Sequence, residues 1–392
     1  MKVRVITHPS GEQIPIILDL EDMPIALPCE FIISRRYLST NTLVRNAREL
    51  SVLYQWLTTH KIELTSKLLA PKSLTEADIK GSLIEALRLD QTNSKTSAVS
   101  PNTYNQRLTT VRQFLCWHLD VLISQQPYTS KQYEYLRERK SYILRLLDNA
   151  FIASPPQNKS IQKGLNDNEA QKLITILEPN SEHNFGRDKA VQFRNYISVA
   201  IMLYCGLRPG ELLSLKVEDI ELGAISSIKV ERRPPDLKDT RKPRPRIKRN
   251  GRVIPIDNRQ LCNALDEYIM VWREQLEEKS DKETDYLILS DEGIPLSQAS
   301  ITQFFQILRS RFASQLPENL TAKSLRHTFS SRLERTLRQA GMDEQRRREA
   351  LAFLRGDSSL NSQDAYIAQE IEEEAVKSLK KYQQKLLAGH NA

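Results

Sequence analysis

Residues 200–220, AIMLYCGLRPGELLSLKVEDI, decide how the second half of the chain is read. The apolar run ending at Cys205 reads as a helix. Gly206 is a natural residue to close it, because glycine adopts the left-handed helix-ending conformation without steric cost. Pro209 restarts a helix at its first turn, where a missing N–H is no loss. Arg208 is therefore held in a tight corner between two helices. A planar guanidinium fixed there suits bidentate binding of a phosphate. An ordinary surface arginine in a helix–helix turn is the other reading of this stretch taken alone.

Three further segments surround that corner. The run RKPRPRIKRNGR at 241–252 contains no acid and leads into the strand-like VIPI, with Asn250-Gly251 as a two-residue hairpin signal. A cationic β-ribbon of this kind can lie along a nucleic-acid groove, and a lysine at its tip can reach a phosphate. A solvated basic loop would explain the charge but not the missing acids. In LTAKSLRHTFSSRL, 320–333, Lys323 and Arg326 are three residues apart on a predicted helix and share a face, so something anionic is expected to stabilise them. In RGDSSLNSQDAYIAQEI, 355–371, a polar loop leads into a helix carrying Tyr366. A single tyrosine opening a helix is ordinarily a packing residue; here its company singles it out.

The first half has a different texture. Residues 1–38 alternate in VRVI and IPIILDL around Pro9-Ser10-Gly11 and read as a hairpin or β-like arm. Between 39 and 150 the pattern is helical. Leu43, Ala47, Leu50, Leu53 and Leu57 form one stripe, and Tyr104, Leu108, Val111, Leu115 and Leu119 another. TEADIKGSLIEALR reads as a shorter helix with Thr75 as its N-cap, and a basic helix is expected over about 129–148. The prolines and polar residues of IASPPQNKSIQKG, 152–164, mark a linker at 151–166. Beyond it the expectation is a mixed unit at 167–380, with helices near 167–177 and 191–204, strands within 223–256, and a tail at 381–392.

A chain of 392 residues is too long for a single ordinary core. The net charge of +8 favours a polyanionic partner. No apolar run reaches membrane-span length, and MKVRVITHPS lacks a signal-peptide core, so the expected location is cytoplasmic. Cys29, Cys116, Cys205 and Cys262 are far apart and read as free thiols of a reducing compartment. The scattered histidines give no case for a metal site.

Taken together, GLRPGELLSL, KSLRHTF and GDSSLNSQDAY resemble the three boxes of the tyrosine recombinase (phage integrase) family, in their order and spacing, over roughly 39–380. The resemblance implies a mainly α protein with a small antiparallel β-sheet: a helical core-binding (SAM-like) domain followed by an α/β catalytic domain, clamping double-stranded DNA. It implies cleavage and rejoining of strands through a 3′-phosphotyrosyl link, with no metal or nucleotide cofactor, and a homo-oligomer, a tetramer on DNA. Arg208 and Arg326 match the arginines that bind the scissile phosphate, and Glu211 the acid that supports the first of them. Lys248 matches the hairpin lysine that protonates the leaving oxygen, with Lys242 and Arg249 as rivals. Tyr366 matches the nucleophile, whereas Tyr382 lacks the preceding Gly-Asp-Ser-Ser loop. Arg244, Arg246, Arg249 and Arg252 of the basic run are expected to contact DNA. Two positions depart from the pattern, with Lys323 and Asp357 where the family usually has histidine and histidine or tryptophan. An ion pair between them would reconcile the two changes; the other reading is that Asp357 faces solvent and Arg355 or another neighbour fills its place. A relative that binds DNA without cleaving it, and a type IB topoisomerase, are the alternatives; integration or excision of a mobile element is the expected role, and resolution of replicon dimers is compatible with the same residues.

Overall fold

Alternation in the first residues gives an antiparallel hairpin. Strand β1 (Lys2–Thr7) pairs with β2 (Gln13–Leu18) from Lys2↔Leu18 to Thr7↔Gln13, turned through Gly11 at φ 83°. The chain then becomes helical earlier than its alternation suggests, in α1 (Ala26–Ser34). Helix α2 (Thr40–Thr59) starts at Ser39, whose hydroxyl accepts from the Thr42 N–H, and buries the whole stripe from Leu43 to Leu57. Both β2 and α1 pack on α2, so the hairpin shares the core of the helices that follow. Next come α3 (Leu64–Leu69) and a π-helical segment, Ala77–Leu83, running into α4 (Ile84–Arg88). Ahead of that segment the Thr75 hydroxyl accepts from the Asp78 N–H, and Asp78 accepts in return from the Thr75 N–H. Helix α5 (Pro101–Ser124) has its proline at the first turn and buries Tyr104, Leu108, Val111, Leu115 and Leu119. Helix α6 (Lys131–Asp148) buries Leu136, Ile143, Leu146 and Leu147 and keeps most of its basic residues outside.

The structure is a computed structural model describing residues 1–90, 97–153, 164–247 and 251–357. The chain divides into two compact units, Met1–Asn158 and Lys159–Ala392, each with its own hydrophobic core.

The second unit is built around one helix. α7 (Asp167–Leu177) begins with a reciprocal cap between Asn166 and Glu169. α8 (Lys189–Cys205), capped by Asp188, is buried on nearly every face, as its apolar run requires. It ends at Gly206 with φ 65°, and Pro209 opens the short α9 (Pro209–Leu212), as the local signals predict. A three-stranded antiparallel sheet follows in the order β3 (Ile220–Glu221), β4 (Ser226–Val230), β5 (Arg252–Ile256), with Val230 opposite Arg252 and Ser226 opposite Ile256. Then come α10 (Arg259–Glu267), which runs through a π-helical turn, Tyr268–Trp272, into α11 (Arg273–Glu277), and α12 (Gln298–Arg311), α13 (Ala322–Gln339) and α14 (Glu344–Arg355). α8 packs against α7, α9, α10, α11 and α13, and α13 against α14. The molecule is mainly α with small antiparallel sheets, the class that the resemblance implies.

The basic run is arranged differently from the expected ribbon. β5 pairs with a strand ending at Val230, so residues 231–251 form a long connection, and no strand occupies 231–247. Asn250, the first residue of the expected turn, lies outside the described residues. Gly251 earns its place otherwise: a Cβ there would lie 2.8 Å from the Val230 carbonyl oxygen.

Candidate active site

Two helix C-termini meet in the second unit, and their carbonyls define the site. The last carbonyls of an α-helix have no partner within it and carry the negative end of the helix dipole. At the end of α8, the Gly206 carbonyl accepts from Arg326 Nη1 at 2.6 Å. At the end of α14, the Leu354 carbonyl accepts from Arg252 Nε at 2.6 Å. The neighbouring Arg355 carbonyl accepts from Arg326 Nη2 at 2.7 Å and Arg208 Nη1 at 3.2 Å. Guanidinium groups from three separate elements therefore satisfy the orphaned helix ends, and are in turn held by them.

Glu211 ties the group together from beneath. Its Oε2 accepts from the Arg208 backbone N–H at 2.9 Å, and its Oε1 from Arg208 Nη1 at 2.8 Å. It also takes both Nη groups of Arg252, at 3.3 and 3.0 Å, and lies 3.9 Å from Arg326 Nη1. Burial alone would raise its carboxyl, but the bonds and charges of Arg252 and Arg208 outweigh it and hold the group below its ordinary value.

Arg326 comes from α13, which starts at Thr321 with a reciprocal cap to Ser324. Its side chain is only 7% exposed. Burial, and after it the like charges of Arg355 and Arg208, push its guanidinium down to about 9. Among the described residues, Arg208, Arg252, Arg326 and Arg355 bring four positive charges to the cluster and Glu211 and Asp357 two negative ones, a sum of plus two. His327 beside it is pushed down to about 4 by burial and by Lys323, Arg355 and Arg326, so it is neutral at neutral pH.

Lys323 and Asp357 do not pair. Lys323 is exposed on α13, whereas the buried Asp357 carboxylate bonds Arg208 Nη2, lies 3.2 Å from Arg326 Nη2, and faces Arg355 Nε at 3.3 Å. Among the described residues no ion pair joins the two. On α13 Arg326 is buried and Lys323 exposed, although the two are three residues apart.

The basic run divides as well. Arg252, expected to face DNA, is instead buried against Glu211 and the end of α14. Arg244 is buried and donates to the Asp239 carbonyl at 2.8 Å. Arg241 pairs with Asp239 at 2.9 Å. The counter-ions absent from the run itself come from Asp239 just before it and from Glu211 far upstream. Arg246 and Lys242 are exposed. Lys248, Arg249, Tyr366 and Tyr382 lie outside the described residues. Arg252 and Arg355 are the site members that reading the sequence assigned elsewhere or only in passing. The signal available for Arg355 was its place just before Gly356, a helix-ending glycine.

Among the described residues, no group of three or more His, Cys, Asp or Glu side chains could hold a metal ion, and no helix is long and apolar enough to cross a membrane.

A sequence model of the phage integrase family matches residues 163–381, which contain every member of this cluster. The chain is 27% identical over 182 residues to the tyrosine recombinase XerC of Roseiflexus castenholzii, covering 46% of this chain and 49% of that one. It is 23% identical over 307 residues to XerD of Listeria monocytogenes, covering 77% and 82%. The chain thus spans about half the length of the first relative and most of the second. The fold is similar to that of the XerH site-specific recombinase bound to its palindromic difH substrate, with TM-score 0.55, 18% identity, and coverage of 88% of this chain and 82% of that one. The family model takes in more than half of the chain, and on that ground the chain belongs to the phage integrase family.

Proposed function

We propose that the chain is a site-specific DNA recombinase that cleaves and rejoins double-stranded DNA through a covalent phosphotyrosyl intermediate. The observation that carries this reading is the convergence of Arg208 and Arg326 on one buried point, in a cluster with positive charge in excess. Phosphoryl transfer gathers negative charge on the non-bridging oxygens, and fixed guanidinium donors stabilise it without reorganising.

In this reading the Tyr366 phenol attacks phosphorus and loses its proton as the O–P bond forms. The bond from phosphorus to the 5′-oxygen breaks, and that oxygen takes a proton from Lys248 acting as general acid, which avoids a bare alkoxide. The products are a 3′-phosphotyrosyl link and a 5′-hydroxyl. The link keeps the energy of the broken bond, so rejoining needs no nucleotide. Glu211 and Arg252 position Arg208 and do not touch the substrate. The exposed Arg246 and Lys242 supply backbone contacts. The first unit serves as the core-binding half of a clamp, residues 151–166 as the linker, and the working form is a tetramer on DNA in the cytoplasm. Integration or excision of a mobile element is the role.

A duplex nicked near the cleavage point tests the chemistry, because the short leaving strand diffuses away and traps the adduct. Wild-type protein should form it, and Arg326→Ala should slow its formation by about 10²–10³. An unchanged rate in Arg326→Ala contradicts the assignment. The carboxylate of Asp357 among the arginines favours a second reading, a DNA-binding relative without catalysis; wild-type protein that binds the duplex yet yields no adduct would establish it.

A further inference from the structure

We propose that Asp357 is an internal stand-in for the scissile phosphate: its carboxylate occupies the arginine edge that the phosphodiester needs, and it withdraws when DNA enters. The inference rests on the reading of Arg208 and Arg326 as phosphate-binding groups.

The bonding pattern carries it. One oxygen of Asp357, Oδ1, is shared between Nη2 of Arg208 and Nη2 of Arg326, and its other oxygen faces Arg355 Nε. A non-bridging phosphate oxygen held by two arginines would be shared in the same way. The remaining Nη groups are already committed. Arg208 Nη1 serves Glu211 and the Arg355 carbonyl, while Arg326 Nη1 serves the Gly206 carbonyl. Arg326 Nη2 also donates to the Arg355 carbonyl, so on the Nη2 edge an incoming anion competes with Asp357 for the hydrogens that remain.

Electrostatics make the occupancy exclusive. The Asp357 side chain is 5% exposed, so a second anion set beside it meets repulsion that solvent screens poorly. Removing its charge takes the cluster from two excess positive charges to three, which strengthens the pull on any phosphate. Asp357 also directly follows Gly356, which has φ 61°, and its own N–H bonds the Ala352 carbonyl at 2.8 Å. The carboxylate thus hangs from the last turn of α14 at the start of the segment that leads, in sequence, to Tyr366.

The test compares full-length wild type, Asp357→Asn, Asp357→Ser and Lys282→Gln, with inorganic phosphate and a plain duplex as probes. Without anion, Asp357→Asn should melt below wild type; phosphate should raise its melting temperature more, and its phosphate affinity should be at least about ten-fold tighter. Lys282→Gln, which removes an exposed cation outside the cluster, should behave as wild type. Folded Asp357→Asn and Asp357→Ser that bind phosphate no more tightly than wild type overturn the proposal. A crystal structure of wild type with duplex gives a check free of variants. Asp357 should have left Arg208 and Arg326, with a phosphate oxygen in its place; phosphate bound while Asp357 keeps both bonds overturns the idea. The two readings separate cleanly. Tighter phosphate binding by the variants without any covalent adduct supports the stand-in and refutes the recombinase, and an adduct without tighter binding does the reverse.

Discussion

Arg252 and Arg246 lie in one basic run and are expected to do opposite work. Arg252 is buried in a carboxylate pair whose two side chains are each 2% exposed. Deleting one partner strands the other, so Arg252→Ala should lower stability by about 3–5 kcal/mol in denaturant unfolding. It should leave the salt dependence of DNA binding unchanged. Arg246 is exposed, so Arg246→Ala should leave unfolding unchanged and reduce the slope of log K against log salt by about 1. Finding the reverse would return Arg252 to the DNA surface. His327 gives a pH signature. Its folded value is about 4 and its ordinary value about 6.5, so between these pH values the unfolded chain binds the extra proton. Stability is then complete above about pH 6.5 and falls as pH drops towards 4. His327→Gln should flatten that part of a melting-temperature profile.

At the scale of elements, the site depends on two helix ends, each closed by a glycine in the left-handed conformation. A Cβ on Gly206 would come 2.3 Å from the Phe329 ring, and its φ of 65° already disfavours any other residue. Gly206→Ala should cost at least about 1 kcal/mol. It should also slow DNA cleavage beyond what that loss explains, because the Gly206 carbonyl anchors Arg326. Single-turnover trapping on folded protein measures the excess, and a rate equal to wild type would show that the anchor is dispensable. The corner itself was legible in GLRPG because glycine, arginine and proline act locally there. The basic run misled because its meaning is not local. Asn250-Gly251 signals a tight hairpin, but the register of β4 with β5 passes over residues 231–251. The absence of acids in 241–252 suggested an unpaired ribbon, yet Asp239 and Glu211 supply the counter-charges from outside it. Spacing likewise placed Lys323 and Arg326 on one face, while packing of α13 on α8 and α14 draws only Arg326 inward. Helical stripes such as Leu43 to Leu57 were read correctly because their period alone fixes which side is buried.

For the whole molecule, a net charge of +8 frames what the cluster does locally. Long-range attraction brings a polyanion to the surface whatever its sequence, so binding to any duplex should weaken linearly on a log–log salt plot. Catalysis asks for more: a phosphate lodged at Arg208 and Arg326, a proton donor, and a nucleophile on the same side of the duplex. The central claim concerns that nucleophile. Wild type and Tyr366→Phe should be incubated with a nicked duplex carrying the DNA that flanks the gene, and the covalent adduct digested and its peptide sequenced by mass. Wild type should give an adduct on the peptide containing Tyr366, and Tyr366→Phe should bind the same duplex but give none. An adduct that survives in Tyr366→Phe, or one that maps to Tyr382, would contradict the account.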